Sequence, residues 1–148
     1  DHLGMPLSTV ISKYNRALQK LEKCDLVFLD PDNGLLVKSV GKKSAKSVKY
    51  VFEEELDDYL CNGKSVVLYS HRQRKTEKKY FAEILSRFEN RPALKGKKVC
   101  AITFSRGTVR DYFLIAANED HALRMEQAIK KMEQSDWGKM KLCRVSII

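Results

Sequence analysis

The sequence predicts an α/β fold: a Rossmann-like three-layer domain with a mostly parallel sheet and a late antiparallel hairpin. Three observations lead to this prediction. Short apolar runs typical of buried strands alternate with segments of helical periodicity, as in proteins whose parallel strands are joined by helices. A chain of 148 residues suits one domain. Two of the apolar runs follow each other so closely that no helix fits between them, which favours a hairpin.

The first half of the chain alternates helix and strand. Apolar residues recur at helical spacing over residues 8–22, which predicts an amphipathic helix. The run Leu26–Asp30 then ends at a Pro-Asp-Asn-Gly turn, as expected of a buried parallel strand. Residues 38–49 are rich in Lys and Ser and are expected to form a loop. A second helix over residues 51–60, closed by an Asn-Gly pair, leads to a second strand at Ser65–Tyr69.

The second half continues the alternation but includes the hairpin. A helix is predicted over residues 80–88, before a proline that cannot continue it. Val99–Phe104 and Asp111–Ala116 are the two strands of the hairpin, followed by a helix over residues 122–132 and a final strand at Leu142–Ile148. Right-handed crossovers through the helices imply a mainly parallel sheet, with the hairpin adding an antiparallel strand at one edge.

Residues 1–148 are expected to form a single α/β domain that is a fragment of a longer chain and lacks its N-terminal half, since the first residue is Asp1 and not Met. No run approaches the roughly 20 apolar residues that cross a bilayer, so no membrane partner is expected. The four cysteines lie far apart and lack zinc-site spacing. This favours reduced thiols and a cytoplasmic location. The oligomeric state stays open.

The chain carries a strong excess of positive charge. Its 28 Lys and Arg residues outnumber 19 Asp and Glu residues, for a net charge of +9. Basic residues cluster at Lys38–Lys49, His71–Lys79 and Arg91–Lys98. Such a surplus favours polyanions such as nucleic acid, because phosphate contacts release counterions. The alternative is a solvated surface that only keeps the protein in solution.

In sheets of this kind ligands bind beyond the carboxyl ends of the strands, which selects two turns. The first, the acidic turn, is Asp30–Gly34, whose proline and glycine restrict its backbone to a fixed shape. Its polar side chains are suited to accept hydrogen bonds from an amine, to bind a hard cation or to position a water molecule. Alternatively, they only bond the neighbouring backbone. The candidate catalytic residues here are Asp30, Asp32 and Asn33, and the candidate substrate contacts are Pro31 and Gly34.

The second turn, the basic turn, is His71–Lys75. Histidine exchanges protons near neutral pH, so His71 is a candidate catalytic residue, or else a polar residue at a helix entry. Guanidinium and ammonium groups bind phosphates. The alternative is that these side chains form only a solvated surface. Trp137 is either a stacking aromatic or a core anchor before the last strand. The candidate phosphate contacts are Arg72, Arg74 and Lys75, together with Arg106 and Arg110 beside the hairpin turn.

Three segments, Phe28–Leu35, Val66–Lys75 and Ser105–Ile115, contain an Asp-Pro-Asp-Asn-Gly-Leu run, a strand ending in His and an Arg-Gly-Thr hairpin. Together they resemble a poorly characterised bacterial family with the same features. The resemblance covers nearly the whole chain, from Pro6 onward. It implies that family members extend further on the N-terminal side.

More distantly, the layout is similar to the second half of class I S-adenosylmethionine-dependent methyltransferases. There a strand ends in Asp/Asn-Pro-Pro-aromatic and holds the target amine. Asp30 and Pro31 match the first two positions, whereas Asp32 and Asn33 replace the second proline and the aromatic. The resemblance implies a methyltransferase-like domain that acts on or binds nucleic acid. It also implies that S-adenosylmethionine binds only with a further N-terminal segment that contains a glycine-rich loop.

Two other hypotheses come from the residues themselves. One is a metal-dependent nuclease or phosphoesterase, in which Asp30 and Asp32 hold Mg²⁺ and His71 acts as base or ligand. The other is a non-catalytic, basic nucleic-acid-binding module in which the acidic turn is structural. The sequence thus leaves open whether the protein is an enzyme.

Overall fold

In the computed structural model, which describes residues 15–72 and 74–148, a five-stranded sheet forms the centre of the molecule. The strands are β1 (Leu26–Leu29), β2 (Ser65–His71), β3 (Val99–Phe104), β4 (Arg110–Ile115) and β5 (Cys143–Ile147). The helices are α1 (residues 15–20), α2 (Glu53–Cys61), α3 (Glu77–Glu89), α4 (Glu119–Gln134) and α5 (Asp136–Lys139), with a 3₁₀ helix at Ala45–Lys49.

The prediction of a mostly parallel, Rossmann-like sheet is wrong. The strand order is β1-β2-β4-β3-β5, and among the described strands β1 and β2 alone pair in parallel. The other three pairs are antiparallel. The cause is the position of β4, which was expected at an edge but lies between β2 and β3. The fold is therefore a mixed α/β fold with a mainly antiparallel sheet.

The strand directions bring several chain turns to one edge of the sheet. β4 is antiparallel to both of its neighbours, so β3 runs in the same direction as β2 and β1. Consequently β1, β2 and β3 end at the same edge, where β4 and β5 begin. This edge is called the upper edge below. It contains the acidic turn, the basic turn and the hairpin turn.

Helices cover both faces of the sheet. One face, the α2–α3 face, packs against buried residues of α2 and α3, including Leu56, Ile84 and Phe88. On the opposite α4 face, Ile129 packs against β3 and β5. Alternation along β4 places Asp111, Phe113 and Ile115 on the first face and Arg110, Tyr112 and Leu114 on the second.

Side-chain caps mark where α4 and the 3₁₀ helix begin. At α4, the Asn118 side chain accepts a hydrogen bond from the His121 backbone N–H at 2.9 Å, a typical N-cap. The segment 38–49 was expected to be a loop, but its second half is the 3₁₀ helix. There Ser44 caps the first turn and the buried Ser47 hydroxyl donates to the Ser44 carbonyl. Of the helix predicted over residues 8–22, residues 15–20 are helical and residues 8–14 lie outside the described part.

The four cysteines are free thiols. Cys100 and Cys143 are buried on the α4 face, and burial raises the pKa of both thiols. Within residues 15–72 and 74–148, no helix combines the length and apolar character that a membrane crossing requires.

Replacing Phe113 tests the α2–α3 core. Phe113 has no exposed surface, and its ring lies 5.8–6.4 Å from the rings of Tyr80, Phe81 and Phe88. We expect Phe113→Ala to lower the free energy of unfolding by about 3–5 kcal/mol, measured by urea denaturation. The control Ile147→Ala removes a side chain that is 79% exposed and should cost less than about 1 kcal/mol. Equal losses would contradict this account of the core.

Candidate functional site

The acidic turn and the basic turn lie side by side at the upper edge. β1 and β2 are parallel with Leu29 opposite Leu68, and β2 continues to His71. Gly34 of the acidic turn packs against Ser70, near the end of β2. Its φ is +95°, and a Cβ built there would lie 2.1 Å from Ser70 Oγ. A glycine is therefore required where the acidic turn crosses the end of β2.

Hydrogen bonds to the segment before α2 hold the backbone of the acidic turn. The Val51 N–H donates to the Gly34 carbonyl at 2.9 Å, and the Asn33 N–H donates to the Lys49 carbonyl at 3.0 Å. The Asp30 and Asp32 side chains are exposed, and Asp32 lies 3.6 Å from the Lys49 ammonium. The turn thus has a fixed backbone, while its carboxylates face the solvent.

Arg72 was expected to contact phosphate, but its guanidinium points into the protein. The side chain is 10% exposed, and Nε and Nη2 donate to the two carboxylate oxygens of Asp111 at 2.8 and 2.6 Å. Nη1 lies 3.0 Å from a Glu77 oxygen. This two-pronged bond to Asp111 is the strong geometry of an arginine–carboxylate pair. It raises the pKa of the guanidinium and leaves Arg72 unavailable to a ligand.

Asp111 and Thr103 complete a buried polar cluster with Arg72, which sequence reasoning missed. Asp111 has no exposed surface, and the Thr103 hydroxyl donates to it at 2.7 Å while accepting from Arg72 at 3.1 Å. The guanidinium also lies over the Phe81 ring, 5.4 Å from its centroid. One signal was available: Asp111 occupies a core-facing position in the apolar run that forms β4.

A second buried pair lies directly beneath the acidic turn. The Ser70 and Tyr80 hydroxyl oxygens are 2.6 Å apart, and both residues are buried. Burial raises the pKa of the Tyr80 phenol. Because Gly34 packs on Ser70, this hydrogen bond supports the floor on which the acidic turn rests.

The other basic residues that were predicted as site residues differ in their ion pairs. Lys75 forms an ion pair with Glu83. Arg74, Arg106 and Arg110 are exposed, and no ion pair between residues of the described ranges includes any of them. His71 is also exposed and lies opposite Arg110 in the β2–β4 register. Gln73, in the basic turn, lies outside the described residues. Among the described residues, the upper edge therefore presents one exposed histidine and three exposed arginines without an ion-pair partner in these ranges.

An aromatic row, also missed from the sequence, crosses the α4 face just below this edge. It extends from β1 to α5, with the Tyr112 ring at 5.5–6.3 Å from the rings of Phe28, Tyr69 and Phe104. The Phe104 ring in turn lies 5.8 Å from that of Trp137. Phe28 at one end is 55% exposed and Trp137 at the other is 41% exposed, so Trp137 is not a core anchor. The members of the row are Phe28, Tyr69, Tyr112, Phe104 and Trp137.

No family model matches this chain, and neither a curated protein nor a solved structure matches it. Among the described residues, no three or more His, Cys, Asp or Glu side chains are grouped to hold a metal ion. Binding of Mg²⁺ by Asp30 and Asp32 and binding of S-adenosylmethionine stay predictions. The described geometry consists of a buried polar layer, exposed cations and an aromatic row.

Asp111→Asn tests the buried polar cluster. The amide keeps the shape of the carboxylate but removes the charge that Arg72 faces, and an unbalanced buried cation is costly. We expect the free energy of unfolding to fall by about 3 kcal/mol in urea denaturation at neutral pH. Asp120→Asn is the control, since it removes an exposed pair with Arg124 and should change stability by less than about 0.5 kcal/mol. A loss from Asp111→Asn as small as the control would show that the buried pair does not hold the edge.

Gly34→Ala tests the packing of the acidic turn on the end of β2. The new methyl group would combine an unfavourable φ with a clash against Ser70. Gly107→Ala is a matched control because Gly107 has φ +78° but no atom within 4 Å of the added Cβ. We expect the control to lower the free energy of unfolding by about 1–2 kcal/mol, measured by thermal unfolding, because of backbone strain alone. Gly34→Ala should cost at least about 1 kcal/mol more, and equal costs would argue against close packing of Gly34 on Ser70.

Proposed function

We propose that this protein binds nucleic acid through the upper edge of its sheet. The observation that supports the proposal is the set of three exposed arginines, Arg74, Arg106 and Arg110, that no described carboxylate neutralises. They belong to a chain with a net charge of +9. Guanidinium groups bind phosphate oxygens through paired hydrogen bonds, and a polyanion gains further from counterion release.

Most carboxylates near this edge are neutralised within the protein. Asp111 is paired with Arg72, and Glu77 lies between Arg72 and Arg144, at 3.0 and 2.7 Å. Asp30 remains exposed at the end of β1, with β2 between it and β4, where Arg110 lies. Positive charge therefore dominates at the β3–β4 side of the edge, where a phosphate backbone would meet Arg106 and Arg110.

In this proposal the acidic turn is structural. Its backbone bonds to Lys49 and Val51, and the packing of Gly34 on Ser70, guide the chain from β1 across β2. Methyl transfer and metal-dependent cleavage of nucleic acid stay predictions. Binding to nucleic acid is the step that these activities and a non-catalytic module have in common.

The test is fluorescence anisotropy with a labelled 20-nucleotide DNA of mixed sequence, titrated at several salt concentrations. Arg106→Ala/Arg110→Ala should weaken binding about tenfold and reduce the slope of log K against log salt by roughly 1 to 2, because two phosphate contacts are lost. Lys23→Ala/Lys95→Ala is the matched control, since these exposed lysines precede β1 and β3 at the opposite edge. The control should bind like the unmodified protein.

Two outcomes would overturn the proposal. One is the absence of any salt-dependent binding. The other is an equal loss of affinity in the two double variants, which would show that net charge alone, and not the upper edge, attracts the polyanion.

A further inference from the structure

The β1–β2 end of the aromatic row, Phe28 and Tyr69, lies outside the apolar cluster beneath α4, whereas Phe104 and Tyr112 pack against that cluster and Trp137 belongs to α5. The cluster beneath α4 contains residues of β3, β4 and β5, including Cys100, Leu114 and Val145. It contains no residue of β1 or β2. Phe28 and its neighbour Leu26 are accordingly more than half exposed, at 55% and 53%. His121 of α4 lies over Ser65 at the lower end of β2, so the exposed part of the β1–β2 half is nearer the upper edge, around Phe28 and Tyr69.

An arginine and a histidine accompany the aromatic rings along the same strands. On β2, Tyr69 is followed two positions later by His71, and on β4, Arg110 precedes Tyr112 by two positions. Residues two apart lie on the same face of a strand, roughly 7 Å from each other. The pairings His71–Arg110 and Tyr69–Tyr112 align these positions across the two strands. The rings therefore lie beside Arg110 and His71, and these two polar side chains are nearer the upper edge.

We propose that the nucleic acid bound here is single-stranded, with its bases stacked on the aromatic row and its phosphates facing His71 and Arg110. This inference rests on the proposed function and specifies its ligand. Unpaired bases expose flat faces that stack on aromatic side chains, whereas the bases of a duplex are already stacked on each other. A polyanion with aromatic rings complements both the cations and the aromatic row.

Phe28 and Trp137 allow the most direct test of base stacking. They are the most exposed members of the row and lie at its two ends. Trp137 is the sole tryptophan of the chain, so its fluorescence reports on this surface directly. A base that stacks on the indole should quench this fluorescence. A phosphate held only at Arg106 and Arg110 should leave it nearly unchanged.

The experiment compares oligo(dT) of 12 nucleotides with a duplex of the same length, using anisotropy and Trp137 fluorescence. We expect the unmodified protein to bind the single strand at least about tenfold more tightly and to show quenching. Phe28→Leu keeps an apolar side chain but removes the ring, and should weaken single-strand binding by about 5-fold to 100-fold. Duplex binding should not change. The control Val48→Ala alters an exposed apolar residue of the 3₁₀ helix and should have no effect on either ligand.

The possible failures are distinguishable. Equal binding of both ligands with no effect of Phe28→Leu, but weaker binding by Arg106→Ala/Arg110→Ala, would overturn stacking and leave the proposed function standing. Absence of salt-dependent binding to either ligand would overturn both. Because Phe28 is largely exposed, Phe28→Leu should melt within a few degrees of the unmodified protein. Phe28→Trp, which restores a ring, should recover single-strand binding, and failure to do so would argue against stacking.

Discussion

The buried pair between Arg72 and Asp111 is the interaction on which the upper edge depends. A carboxylate without exposed surface is very unfavourable unless a cation and hydrogen bonds compensate for its lost hydration. Arg72 provides both, and Thr103 adds a further donor. Arg72 directly follows β2, and Asp111 and Thr103 lie on β4 and β3, so this strand order places the three residues together. The buried polar cluster and the strand order are therefore linked.

The basic residues of the upper edge are of two kinds. Some form ion pairs inside the protein, as Arg72 does, and others face the solvent. Arg72 is directed inward, and Glu77 is shared between Arg72 and Arg144, so the charges closest to the core neutralise one another. The arginines further out, at the basic turn and at the hairpin, keep their charge for the solvent or a ligand. The upper edge is thus layered, with a fully bonded polar floor beneath exposed positive groups and with the aromatic row beside them. A rigid floor of this kind restricts how far the two turns can move.

The site could be predicted from the sequence only in part. The proximity of the two turns follows from a strand–helix–strand unit, because parallel strands end at the same edge. The inward direction of Arg72 could not be foreseen, since its partner Asp111 is remote in the chain and lies on a strand whose neighbours were unknown. The aromatic row was hidden for a related reason. Its four strand residues have the sequence pattern of ordinary apolar strand positions, and only strand pairing shows that they share one face of the sheet with Trp137 of α5 beside them.

By itself, the sequence determined the elements: every strand and the helices α2, α3 and α4 are at or near their expected positions. Periodicity, caps and turn residues act over a few neighbouring residues, so they can be read directly from the sequence. The tertiary structure decided which strands are neighbours, and with that the mainly antiparallel sheet. Strand order is set by contacts between distant residues, among them the buried pair of Arg72 and Asp111, and no local pattern encodes such contacts.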